Sequence, residues 1–184
     1  MDNGASSYRR FLDGDDSGMV ELVRDYKDGL LLYLNSYINN LSIAEDCVQD
    51  TFIKLAIKKP KFRGDCSFKT WLYTIGRNMA LSYLRKAARH SDTLIDECEN
   101  LESETDLERE YLREEQRIIL HKTLRRLKTE YQLVLYLTYF EDFSNAETAK
   151  IMKKTKKQVE NLLYNARKTL RSELEKEGFH YEEL

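Results

Sequence analysis

The chain has 184 residues, 34% of them charged and 41% hydrophobic, with one proline and seven glycines. So few chain breakers and so much charge exclude a β-sandwich or barrel and point to a water-soluble, mostly helical protein of one or two domains. The net charge of −2 argues at first sight against a nucleic-acid partner, but it averages over opposed blocks. Lys54 to His90 carries ten Lys/Arg against Asp65 alone, and Lys150 to Arg171 carries eight against Glu160 alone. Between them, Asp92 to Arg117 holds eleven acids and three arginines.

Residues 1 to about 15 read as a polar lead-in with a short helix at Tyr8 to Leu12, and Asp15, Asp16 and Ser17 offer N-cap side chains. The periodicity predicts a helix from about Met19 to Asn39, with Met19, Val23, Tyr26, Leu30, Tyr33, Leu34 and Tyr37 on one side. Gly29 weakens that helix slightly. Ser42-Ile-Ala-Glu45 has the form of a capping box, opening a helix that Lys58-Lys59-Pro60 ends. Its inward face is Ala44, Val48, Thr51 and Leu55, while Asp46, Gln49, Asp50 and Lys54 point away.

Lys61 to Ser67 is a loop in which Gly64 permits a turn, and a long helix follows from about Phe68 to Ala88. Phe68, Trp71, Leu72, Ile75, Met79 and Tyr83 form an apolar stripe on it, surrounded by Lys61, Arg63, Lys69, Arg77, Arg85 and Lys86. Aromatic faces stack on unpaired bases and cations track phosphates, so this composition suits a single-strand binding surface, although a core helix with a basic outer face shares it.

The acidic stretch from His90 to about Leu107 has few apolar anchors and is expected to be a flexible domain boundary. Helices resume at about Leu107 and run towards Leu127; Thr129 to Gln132 has the form of another box, opening a helix through Phe140. Ser144-Asn-Ala-Glu147 caps a short helix to about Met152, and Thr155-Lys-Lys-Gln158 caps a last one with a core stripe of Val159, Leu163, Ala166, Leu170 and Leu174. A short helix, a tight turn and a long capped helix with a basic outer surface describe a helix-turn-helix.

Cys47, Cys66 and Cys98 are odd in number and make no zinc pattern with His90, His121 or His180, which predicts free thiols, no metal and a reducing cytoplasm. No signal peptide is visible, and the apolar run Leu30 to Leu34 is far shorter than the roughly 20 residues a bilayer requires. There is no glycine-rich phosphate loop and no Ser/His/Asp set, so the chain is not expected to be an enzyme and no cofactor or catalytic residue is assigned.

Taken together, these stretches resemble the bacterial RNA polymerase sigma factors of the extracytoplasmic-function (ECF) group. Ala44-Glu-Asp-Cys-Val-Gln-Asp-Thr-Phe-Ile-Lys54, Phe62-Arg-Gly-Asp65 and Phe68-Lys-Thr-Trp-Leu-Tyr-Thr-Ile-Gly-Arg-Asn78 look like the family's region 2; Leu124 to Leu170, ending in Tyr164-Asn-Ala-Arg-Lys-Thr-Leu170, looks like its region 4. The resemblance implies an all-α chain of two small helical domains joined by an acidic flexible linker: a region 2-like bundle at 1–90, a linker at 91–117 and a region 4-like helix-turn-helix at 118–184. It implies polymerase binding by Asp46, Gln49, Asp50 and Phe52, and contact with the −10 element through Lys61, Phe62, Arg63, Lys69, Tyr73, Arg77 and Asn78. It implies −35 contact through Thr155, Lys157, Gln158, Asn161, Tyr164, Asn165, Arg167 and Lys168. The partners so implied are core RNA polymerase (β′ and β subunits), promoter DNA in duplex and single-stranded form, and an anti-sigma factor.

The chain also departs from the family's pattern. Lys153 stands where a turn glycine is frequent, Gln158-Val159-Glu160 replaces the usual Thr-Val-Lys, Asn165 replaces a frequent arginine, and Ser82 replaces a frequent aspartate. The competing reading is an ordinary helix-turn-helix regulator with an N-terminal interaction domain, which needs no basic and aromatic single-strand platform at 61–86.

Overall fold

The computed structural model describes residues 3–90, 119–120 and 122–177, and every regular element among them is helical. The expected acidic linker, Cys98 and His180 lie outside the described residues, as does most of the helix expected from Leu107.

Helix α1 (Asn3–Leu12) is a full packed element and not a polar lead-in, because Tyr8 and Phe11 bury their rings. The Tyr8 hydroxyl donates to the Pro60 carbonyl at 2.8 Å, which ties the amino-terminal end to the loop before the long helix. Burial pushes that hydroxyl up to about 12. Helix α2 (Ser17–Ile38) ends in left-handed Asn39. Asp16 makes no capping bond; Asp15 accepts from the Ser17 amide instead, at 3.0 Å.

Helix α3 (Leu41–Lys58) is capped by Asn40, whose side chain accepts from the Ile43 amide at 3.1 Å, so the expected Ser42–Glu45 box is not the cap. Its inward face is as expected, with Ala44, Val48, Thr51 and Leu55 at most 2% exposed. After the Gly64 turn (φ 79°), Ser67 accepts from the Thr70 amide and opens helix α4 (Phe68–His90). The α4 stripe differs from a single apolar line. Phe68, Leu72 and Ile75 are buried, Tyr83 is exposed, and Thr70, Tyr73, Gly76 and Ala80 are buried as well. Burial extends round the helix because α4 packs on α2 and α3 and also receives the carboxy-terminal half of the chain.

In that half, α5 (Thr129–Leu135) lacks the expected Thr129 box. Gln132 turns its amide back to the carbonyls of Leu127 (2.8 Å) and Arg125 (3.1 Å). The expected continuation to Phe140 is a π-helical turn, Tyr136–Phe140, closed by Glu141 N–H donating to the Tyr136 carbonyl. Its extra residue changes the phase of the side chains that follow. Helix α6 (Asn145–Met152) and helix α7 (Lys156–Lys176) have both halves of their expected capping boxes, at Ser144/Glu147 and Thr155/Gln158. Lys153, between them, is left-handed (φ 54°), a conformation that costs a non-glycine residue about 1 kcal/mol. No described helix is long and apolar enough to cross a membrane.

One apolar cluster joins the two halves, running from Leu22, Leu30, Tyr33 and Leu72 to Leu133, Leu137, Phe143, Ile151 and Val159. Tyr73 and Phe143 meet edge to face across the junction, with centroids 5.1 Å apart.

Candidate nucleic-acid and polymerase interface

On α3, Asp46, Gln49 and Asp50 are exposed, as expected of a docking face. Phe52 is not: it is 8% exposed and belongs to the core. The apolar side chains that this face presents are Ile53, 50% exposed, and Ile57, 71% exposed. The sequence motif held an aromatic among polar residues, but one residue of helix is about 100° of rotation, and that places Phe52 inward and Ile53 outward.

At the start of α4, Lys61 and Arg63 are exposed, and Phe62 is half-buried against Trp71 and Phe68, with centroids at 5.2 and 5.6 Å. Trp71 also packs on Tyr8 at 5.5 Å, so it supports the loop from within. Arg77 and Asn78, roughly two turns beyond Lys69, are half-buried, and the Arg77 guanidinium donates to the Tyr37 hydroxyl at 3.2 Å. Two expected strand contacts face elsewhere. Tyr73 is fully buried, and Lys69 turns towards the π-helical turn.

Glu141 is what draws both residues. Its carboxylate accepts from the Tyr73 hydroxyl at 2.6 Å and pairs with the Lys69 ammonium at 2.9 Å, while its other oxygen accepts from the Tyr136 hydroxyl at 3.0 Å. Burial, reinforced by the Glu141 charge, pushes the Tyr73 and Tyr136 hydroxyls well above the ordinary phenol range, so both stay neutral donors. Lys69 also lies over the Phe143 ring, 4.8 Å from its centroid. Beside this cluster, Glu147 accepts from Ser67 at 3.0 Å and Thr70 at 3.1 Å, and Lys150 donates to the Asp65 carbonyl at 2.8 Å. Burial pushes the Glu147 carboxyl up, but hydrogen bonds from Ser144, Ser67 and Thr70 outweigh it and hold the group below the ordinary carboxylate range. Nothing in the sequence singled out Glu141; its position one residue beyond an amphipathic helix end was the only signal available.

Helix α7 divides cleanly. Val159, Leu163 and Ala166 are buried, while Thr155, Lys157, Gln158, Asn161, Tyr164, Asn165, Arg167 and Lys168 are all exposed. Tyr164 presents 65% of its surface to solvent. Gln158 is partly committed, because its side-chain oxygen accepts from the Thr155 amide at 2.8 Å. Lys157 stands 3.9 Å from Glu160, a loose contact that leaves its charge available. Among the described residues no group of His, Cys, Asp or Glu has the arrangement of a metal site.

These two surfaces coincide with two family matches. The family model for Sigma-70 region 2 matches residues 22–90, and that for Sigma-70 region 4 matches residues 117–170. RNA polymerase sigma factor YlaC of Bacillus subtilis (strain 168) is 34% identical over 161 residues, covering 85% of this chain and 91% of the relative. The ECF RNA polymerase sigma-E factor of Escherichia coli (strain K12) is 31% identical over 166 residues, covering 85% and 86%. Among solved structures, the sigma factor RpoE in complex with the anti-sigma factor NepR from Bartonella quintana is similar, with a TM-score of 0.62 and 27% identity over 83% of this chain and 98% of that one. CnrH in complex with the cytosolic domain of CnrY shares the fold, with a TM-score of 0.63 at 24% identity over 94% and 95% of the two chains. With both regions matched in order and a curated relative paired over nearly its whole length, the chain belongs to the RNA polymerase sigma factors of the extracytoplasmic-function group.

Proposed function

We propose that this sigma factor is a promoter-specificity subunit that binds core RNA polymerase in the cytoplasm, recognises a −35 and a −10 element and helps melt the DNA at the latter. Residues 1–90 serve the core enzyme and the −10 element, 91–117 are the acidic spacer, and 118–184 read the −35 duplex. The observation that carries the reading is the two-sided division of α7, whose buried line of Val159, Leu163 and Ala166 leaves amides, cations and Tyr164 together on the outer face. Asn and Gln pair with adenine edges in a major groove, and Lys and Arg hold phosphates. The basic and aromatic surface around Phe62 supports the second contact, since bases leaving a stack need an apolar or stacking wall. The β′ subunit is the partner for the exposed face of α3. The β subunit is the further contact within the core enzyme, and the anti-sigma complex of the Bartonella relative supports an anti-sigma factor as another partner.

The test is reconstitution. The purified chain, mixed with bacterial core polymerase, is expected to co-elute with it and to direct initiation from sequences selected out of a random promoter pool. A chain that fails to co-elute and instead binds a symmetric duplex as a dimer is an ordinary helix-turn-helix regulator.

A further inference from the structure

The last turn of α2 meets the middle of α4 through three polar side chains. Gly76 lets the helices approach, since a Cβ there would stand 2.9 Å from the Leu30 side chain. Where they meet, the Tyr37 hydroxyl accepts from Arg77 Nε at 3.2 Å and lies 3.1 Å from the Tyr33 hydroxyl. The Tyr33 and Tyr37 rings pack edge to face, with centroids 5.4 Å apart, which fixes where both hydroxyls stand. Tyr33 is fully buried, and Tyr37 is its one hydrogen-bond partner among the described residues. A buried hydroxyl places its proton on a partner, so Tyr33 is the donor of the pair. A phenol oxygen has two acceptor sites, and Tyr33 and Arg77 fill both of those on Tyr37. The Tyr37 proton therefore has no acceptor among the described residues. Arg77 is held in a matching way: Nε is committed to Tyr37, and the two terminal nitrogens have no partner among the described residues.

We propose that Tyr37 and Arg77 together form a subsite for one phosphodiester of the unpaired strand, with the Tyr37 hydroxyl and the terminal guanidinium nitrogens as its donors. The subsite rests on the proposed reading of the α4 surface as the single-strand site, and it adds to that surface a residue of α2 whose place in the sequence is the packed side of a helix. The guanidinium supplies charge, and its planar end suits two phosphate oxygens. The hydroxyl supplies direction, because an oxygen that accepts two hydrogen bonds is polarised into a stronger donor. Tyr33 acts through Tyr37 and is a positioning residue. With the phosphate held there, Asn78, the next residue after Arg77, is left to a base edge.

The test uses holoenzyme reconstituted with bacterial core polymerase and a labelled promoter fragment whose −10 segment is left unpaired. One phosphate of the unpaired strand at a time is replaced by a neutral methylphosphonate, and affinity is measured for wild type, Tyr37→Phe, Arg77→Ala and Arg77→Lys. Tyr37→Phe keeps the ring and removes only the hydroxyl. It is expected to weaken the unsubstituted strand roughly threefold to tenfold. Wild type is expected to lose affinity at a small number of substituted positions, and at one of them Tyr37→Phe and Arg77→Ala are expected to lose nothing further. Arg77→Lys keeps the charge but not the Nε–H that engages Tyr37, so Tyr37→Phe should cost less in that background than in wild type. A Tyr37→Phe loss of equal size on every substituted strand, and equal in all Arg77 backgrounds, marks Tyr37 as packing only and overturns the subsite. So does the absence of any position masked by both Tyr37→Phe and Arg77→Ala. If no methylphosphonate in the unpaired segment affects wild type, the strand reading of α4 fails and the subsite with it; sensitive positions that neither variant masks remove the subsite alone.

Discussion

The Tyr73 hydroxyl of region 2 donates to the Glu141 carboxylate of region 4 at 2.6 Å, across 68 residues of chain. The donor is fully buried, so this bond sits where water cannot replace it. Removing it by Tyr73→Phe leaves Glu141 with Lys69 and Tyr136. Hydrogen bonds to charged groups contribute about 1.5–3 kcal/mol, so the loss should be near the lower figure. Urea midpoints of Tyr73→Phe, Glu141→Gln and the double variant measure it. A coupling energy of at least about 0.5 kcal/mol is expected, and strict additivity would show that the two groups do not depend on each other.

Docking on polymerase should depend on Ile53 and not on Phe52. Gln49→Ala with Ile53→Ala is expected to weaken core binding strongly while the melting temperature holds, because both side chains are exposed. Phe52→Ala is expected to lose about 3–5 kcal/mol of stability, since it empties part of the core. Core affinity by titration and thermal melts by circular dichroism separate the two. A core-binding defect in Phe52→Ala at unchanged stability contradicts the assignment.

On α7 the amide readers should divide. Asn161 is exposed and outside the capping box, so Asn161→Ala should change the preferred −35 base at one position by about 1–3 kcal/mol. Thr155→Ala removes the N-cap and should cost about 1 kcal/mol of helix stability before any effect on sequence. Lys168→Ala should weaken all duplexes alike and reduce the salt slope by about 0.9. Selection from randomised duplexes and salt titrations of the selected site check all three. A selected sequence identical for wild type and Asn161→Ala would exclude that residue as a reader.

Glu147 predicts an acid-sensitive junction. The groups facing it are the Ser144 hydroxyl and amide and the Ser67 and Thr70 hydroxyls, and together they favour its charged form despite burial. A carboxyl held lower in the folded than in the unfolded chain contributes stability that is fully present above the unfolded value of 4.5 and is lost as pH falls through the folded one. Melting temperature should therefore drop more steeply for wild type than for Glu147→Gln below about pH 4.5. Parallel curves would show that the carboxylate does not carry the dependence.

The elements legible from residue order are those whose partners lie within one helical turn. Ser144 finds Glu147 and Thr155 finds Gln158 three residues away, so both boxes form as the spacing predicts. Lys153 is left-handed as the C-cap of α6, its amide donating to the Ala149 and Lys150 carbonyls four and three residues back. The outer face of α7 follows from period alone, since its helix has one packed side. Where several local solutions compete, neighbours in space choose. Asn40 caps α3 in place of Ser42, and Gln132 serves the carbonyls of Leu127 and Arg125 in place of Thr129. The π-helical turn adds a residue that periodicity cannot anticipate, and this carries Glu141 to Lys69 and Tyr73. Tyr73 reads as a strand contact in sequence, but its surroundings come from distant chain, Tyr33 on one side and Glu141 and Phe143 on the other. A helix surface becomes a site or a core only when distant chain either covers it or leaves it open, because burial depends on contacts that local periodicity does not specify.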